Sequence, residues 1–120
     1  MLHELNDTIV APATAPGIGA IALIRVSGKE ALSLCAAIFY SPNGKQNLAS
    51  KKSHTAHFGS IRDGNHLIDE VVATLFLAPR SFTGETTVEL SCHGSPYIQQ
   101  QIISLLLKKG ARMARAGEFT

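Results

Sequence analysis

The chain has 120 residues, 45% of them hydrophobic, with a mean hydropathy of +0.13 and 11 Lys plus Arg against 9 Asp plus Glu. That length suits one domain, spanning residues 1–120, and buries roughly two thirds of the unfolded surface on folding. Composition argues against disorder, no apolar run is long enough for a membrane helix, and a net charge of +2 is too even to indicate nucleic-acid binding by itself.

The opening residues MLHELNDT carry two acids and no Lys or Arg, the wrong start for a secretory or mitochondrial address, so a cytoplasmic protein with no membrane association is expected. Cys35 and Cys92 fall on predicted apolar faces without CxxC spacing and read as small core residues. The basic clusters Lys51-Lys52 and Lys108-Lys109, with Arg112 and Arg115, are short and read as solvated faces.

In chain order, Asp7 to Ala13 is β-prone, and Pro12, Pro16, Gly17 and Gly19 then break the chain into a loop, which predicts an edge strand or extended arm. Ala20 to Ser27 alternates, with Ile21, Leu23 and Arg25 on one face and Ala22, Ile24 and Val26 on the other. An Arg on such a face needs an anionic partner if it is buried. Ser27-Gly28-Lys29-Glu30 fits a capping box opening a helix to about Phe39, with Leu32, Cys35, Ala36 and Phe39 facing the sheet. Tyr40 to Lys52 reads as a surface loop. Ser53–Arg62 and His66–Ala78 form a hairpin across Asp63-Gly64-Asn65, and the second strand looks buried on both faces.

The stretch Phe82 to Pro96, FTGETTVELSCHGSP, is the most informative. Turn signals bound it, and alternation places Thr86, Val88, Leu90 and Cys92 on one face. Glu85, Thr87, Glu89, Ser91 and His93 fall on the other. Ser95 caps and Pro96 opens a second helix with a buried stripe of Ile98, Ile102, Leu105 and Leu106, ended by Gly110. Ala111 to Arg115 reads as a last short strand, and the ending Gly117-Glu118-Phe119-Thr120 reads as the front of something longer. The expected fold is α/β in the α+β sense, a mixed sheet with two helices packed on one side.

Gly17-Ile18-Gly19-Ala20-Ile21-Ala22 matches a dinucleotide pattern on paper, but the residues that come next are strand-like rather than helical, so a Gly-rich bend is the better reading. No P-loop is present. Cys92 and His93 point to opposite strand faces and do not form a dyad; His54 and His57 are not brought together by their spacing. No catalytic residue and no metal site is assigned. Arg25 and Glu89 are the sharpest pair, readable either as an ion pair between strands or as a small-molecule site. In the second reading the carboxylate accepts two parallel hydrogen bonds from a planar amino-heterocycle, a pterin or a guanine edge.

The blocks Asp7-Thr8-Ile9-Val10-Ala11, Ala13-Thr14-Ala15-Pro16-Gly17 and Ile24-Arg25-Val26-Ser27-Gly28, the run IDEVVATLFLAPRSFTGETTVELSCHGSP, and Ala114 to Thr120 together resemble the N-terminal domain of the MnmE (TrmE) family of tRNA-modification GTPases. The resemblance implies a fold similar to the folate-binding part of aminomethyltransferases, a homodimer, and binding of 5-formyltetrahydrofolate or another one-carbon tetrahydrofolate. It implies that the folate-contacting residues fall on Arg25 and Glu89. For a full-length protein it further implies a G domain using GTP, Mg and K, an FAD-dependent partner of the GidA/MnmG type, and modification of the tRNA wobble uridine. None of the G-domain motifs lies in this chain. A further folate-contacting Lys of the family lies past the GEFT block. Ala116 stands where the family commonly has Pro, and Ser95 where a second Gly often follows His-Gly. Two other readings are a ligand-free assembly domain and an independent aminomethyltransferase-like enzyme.

Overall fold

A computed structural model describes residues 8–13, 20–43, 48–78, 84–115 and 118. These form β1 (Ile9–Pro12), β2 (Ile21–Ser27), α1 (Ala31–Ile38), β3 (Phe39–Tyr40), β4 (Thr55–Asp63), β5 (His66–Phe76), β6 (Thr87–His93), α2 (Pro96–Lys108) and β7 (Arg112–Met113), with a 3-10 turn at Leu48–Ser50. The strands make one sheet in the order β3-β4-β5-β6-β2-β1-β7. All neighbours are antiparallel except β1 and β7, which run parallel. The fold is therefore the mixed sheet with two helices that the pattern predicts.

A single core lies between the helices and one face of the sheet. Val10, Ala22, Ile24, Val26, Val71, Ala73, Leu75, Val88 and Leu90 meet Ala31, Cys35 and Ile38 of α1 and Ile102, Leu105 and Leu106 of α2. Burial alternates along β2 and β6 as expected for strands with one covered face. Both cysteines are buried free thiols, and burial pushes Cys35 up to about 12 and Cys92 up to about 11.

Four expectations are corrected. β1 is not an edge strand: β7 pairs beside it in the register Ile9↔Arg112 and Val10↔Met113, a distant partner in sequence that local pattern does not reveal. β5 is buried on one face only. Val71, Ala73 and Leu75 are covered, while Val72, like its cross-strand neighbour Phe58, is exposed, because both helices lie on the same side. An apolar run alone does not separate these cases.

The predicted capping box does not form. Ser27 is the last residue of β2, where its hydroxyl meets Thr87 Oγ1 at 3.1 Å and donates to Glu85 Oε1 at 3.2 Å. The helix begins later, with Glu30 as its flanking residue and no side-chain cap from within. The Thr8 hydroxyl accepts the Glu30 backbone N–H at 2.9 Å instead, satisfying one of the donors a helix start leaves open. Finally, α1 stops at Ile38, and Phe39–Tyr40 pairs with Ile61 and Ser60, so the connection starts at Ser41 rather than Tyr40.

The hairpin closes through Gly64-Asn65, with Gly64 at φ 62 and Asp63 opposite His66. Ser95 caps α2, accepting the Ile98 N–H at 3.4 Å, Pro96 is its first residue, and Gly110 at φ 122 ends it. Gly59 is required by contact rather than by dihedral. A Cβ there would lie 2.5 Å from the Tyr40 carbonyl oxygen and closer still to Phe39 Cζ.

Candidate functional site

With both helices on one side, the other face of the sheet carries the outward residues of β4, β5, β6 and β2 in register. Arg25 of β2 stands directly opposite Glu89 of β6. Arg25 Nε donates to Glu89 Oε2 at 2.9 Å, and Nη2 lies 2.8 Å from the same oxygen. The side chains are 35% and 22% exposed. A half-solvated pair of this kind is worth at most about 1 kcal/mol to the fold, so it leaves room for a role beyond stability. Both contacts fall on Oε2, and Oε1 is not used by the pair.

Flanking residues give the pair its setting. Thr74 of β5 faces Glu89 from the other side and Ala11 of β1 faces Arg25, so neither cross-strand neighbour adds a competing charge. One step along the strands lies the Ser27, Thr87 and Glu85 hydroxyl and carboxylate group. One step the other way lie Leu23 and Ser91, then Ile21 and His93. The sequence-predicted polar face of β6 is thus brought together as read, with the Arg25 side of β2 alongside it.

His93 has a partner that sequence reasoning missed. Asp69 of β5 is buried, and its two oxygens accept the His93 backbone N–H at 2.8 Å and the ring Nδ1–H at 2.7 Å. The only signal was an acid after Ile68 on the face of β5 that carries Val71 and Ala73. Cys92, by contrast, points into the core and forms no dyad with His93. His54 and His57 contact different neighbours: His54 Nδ1 meets Ser53 Oγ at 2.8 Å and its ring sits edge-on to Phe76, while His57 Nε2 meets Thr55 Oγ1 at 2.7 Å. Burial, and secondarily the Lys51 charge, lowers the His57 pKa.

Gly17 to Gly19 of the glycine pattern lie outside the described residues, as do residues 79–83 of the longest matching block and Ala116, Gly117, Phe119 and Thr120 of the last. The glycine pattern leads into β2, a strand, so no helix N-terminus stands there to receive a pyrophosphate. No helix among the described residues is long and apolar enough to cross a membrane.

An α+β domain with its helices on one face and an arginine–carboxylate pair in register on the other defines a module with an open sheet surface. The chain belongs to the family described as the GTP-binding protein TrmE N-terminus, whose model matches residues 8–120. It is 60% identical over 117 residues to the tRNA modification GTPase MnmE of Christiangramia forsetii, covering 98% of this chain and 24% of that relative. It is 56% identical to the protein of the same name from Flavobacterium psychrophilum, over 96% of this chain and 25% of the relative. The corresponding Porphyromonas gingivalis protein is 49% identical over 100% of this chain and 26% of its own length. This chain spans about a quarter of the length of these relatives.

Proposed function

We propose that this chain is a folate-binding and dimerisation module, acting as the N-terminal part of a GTP-hydrolysing tRNA-modification enzyme. The observation that carries the reading is the cross-strand register of Arg25 and Glu89 on the uncovered sheet face, the two residues to which the family resemblance assigns folate contact. Glu89 is held through Oε2 by Arg25, and its Oε1 is left to accept N–H groups of a pterin edge. The donor set fits a one-carbon tetrahydrofolate, which supplies the one-carbon unit when bound. The chain's own residues bind and orient it.

GTP hydrolysis with Mg and K, the FAD-dependent partner of the GidA/MnmG type, tRNA wobble-uridine modification and a cytoplasmic setting belong to this reading for the full-length protein. The relatives' printed name, tRNA modification GTPase, supports GTP hydrolysis and tRNA modification. Calorimetric titration of the chain with 5-formyltetrahydrofolate tests the site: saturable binding that Glu89→Ala abolishes in a folded protein supports it, and saturable binding that survives Glu89→Ala refutes it.

A second reading is favoured by one observation. Arg25 and Glu89 already pair with each other, as in a ligand-free assembly domain. Light scattering with and without folate separates the two, since assembly alone predicts a dimer indifferent to ligand.

A further inference from the structure

Phe58 of β4 is 54% exposed, and two hollows meet at its ring and at Ser41 and Pro42, on the β3–β4 margin of the sheet. The larger, of about 480 Å³, is bordered by Tyr40, Arg62 and Glu70. The smaller, of about 340 Å³, is bordered by Lys51 and has no acid in its lining among the described residues. Arg62 is placed by the fold. Ile61 faces Asp69 but Arg62 faces Leu67, so β5 carries one extra residue there, and this bulge brings Ser60, Arg62, Leu67 and Glu70 to one face. Arg62 Nε donates to Ser60 Oγ at 3.2 Å, and Cζ lies 6.0 Å from the centre of the Tyr40 ring. The Ser60 contact draws the guanidinium back along β4 to the step next to Phe58, about 7 Å away at the rise of a strand. Among the described residues no carboxylate pairs with Arg62 or with Lys51, although Glu70 borders the same hollow as Arg62.

Lys51, Phe58 and Arg62 thus follow one another along β4 as cation, aromatic ring and cation. That is the donor set of a single-strand nucleic-acid surface, where a base stacks on the ring and the cations take the phosphates on either side of it. Glu70 repels a phosphate on the β5 side of the larger hollow, which keeps a backbone on the β3–β4 margin and off the strands that carry Arg25 and Glu89. We infer that Phe58 is the stacking platform of an RNA-strand site, with an unpaired base on its ring and one backbone phosphate each on Arg62 and Lys51. Two cations in separate hollows call for two phosphates, so the occupant is a strand and not a free mononucleotide. Tyr40 and Ser60 act as positioning residues for Arg62. The choice of RNA among polyanions rests on the tRNA-modification reading.

Fluorescence anisotropy of the chain with a labelled single-stranded oligocytidine of about eight nucleotides, within the usual size of such sites, tests the inference. Phe58→Ala should weaken binding roughly tenfold, the cost of one lost base stack. Arg62→Gln and Lys51→Gln should each reduce the slope of log affinity against log salt by about 0.7, the share of one phosphate contact on a single strand. Lys109→Gln, at the end of α2 beside β7, should leave that slope unchanged. No binding to the folded, unaltered chain, binding that Phe58→Ala leaves intact, or a slope that Lys109→Gln reduces equally overturns the inference. Cytidine monophosphate binding as tightly as the strand also overturns it, assigning a free-nucleotide pocket. So does a Phe58→Ala effect confined to self-association, which gives the ring to a second copy. Wobble-uridine modification by the full-length protein is measured in parallel. Modification without strand binding by this chain overturns the inference alone, whereas strand binding without modification supports the site and overturns the tRNA-modification reading.

Discussion

The Thr8 hydroxyl accepts the backbone N–H of Glu30 at 2.9 Å, so the residue leading into the first strand caps the first helix across 22 positions of sequence. Thr8→Val keeps the shape and removes the acceptor. It should lower stability by about 1 kcal/mol, the usual cost of a lost helix cap, read as a lower urea midpoint with an unchanged slope. Ser27→Ala should leave the helix start untouched and act on the Thr87 contact instead.

Gly59 and Phe39 make a second falsifiable contact. Gly59→Ala sets a methyl against Phe39 Cζ and 2.5 Å from the Tyr40 carbonyl oxygen, and the backbone there has no slack because β3 pairs at that point. A loss of about 1–3 kcal/mol is expected in chemical denaturation. Unchanged stability would show that β3 is not fixed against β4.

Glu89→Ala should separate binding from folding. Since its ion pair with Arg25 is partly solvated, the variant should unfold within about 1 kcal/mol of the unaltered chain while losing folate binding. A variant that instead unfolds outright would return the pair to a purely structural role.

The Arg112 guanidinium and the Arg115 backbone N–H hold the Glu118 carboxyl down at about 2, against an ordinary value of 4.5. Its folded pKa lies below its unfolded one, so its contribution is present above about pH 4.5 and is lost as pH falls towards 2. Unfolding midpoints measured across that window should fall less steeply for Glu118→Gln than for the unaltered chain.

Cys35 and Cys92 should resist a thiol reagent at pH 8 while the chain is folded, with thiols near 12 and 11 and little access, and both should react once it is unfolded in urea. Fast labelling of one thiol in the folded chain would expose a local opening of the core.

What the sequence made legible was whatever one-sided burial dictates. Alternation in β2 and β6 comes directly from a single covered face, which is why Arg25 and Glu89 fall on the same face whatever the pairing of their strands. The α2 signals, Ser95, Pro96 and Gly110, are local, and local signals hold. The failures are non-local. Ser27 and Glu30 have capping-box spacing, but cross-strand pairing claimed the Ser hydroxyl for the sheet. The apolar run of β5 does not say how many faces have helices, and nothing near Asp69 announces that a histidine 24 residues later will lie against it. The position of β1 depends on β7, a two-residue strand far along the chain.

That last pairing bears on synthesis. β1 leaves the ribosome well before β7, yet one of its two flanks stays bare until residues 112 and 113 emerge. The strand must therefore wait for all the chain in between, a high-contact-order arrangement that slows folding and leaves a strand margin open to wrong partners in the meantime. Pausing, or crowding among neighbouring nascent chains, would act on this margin first.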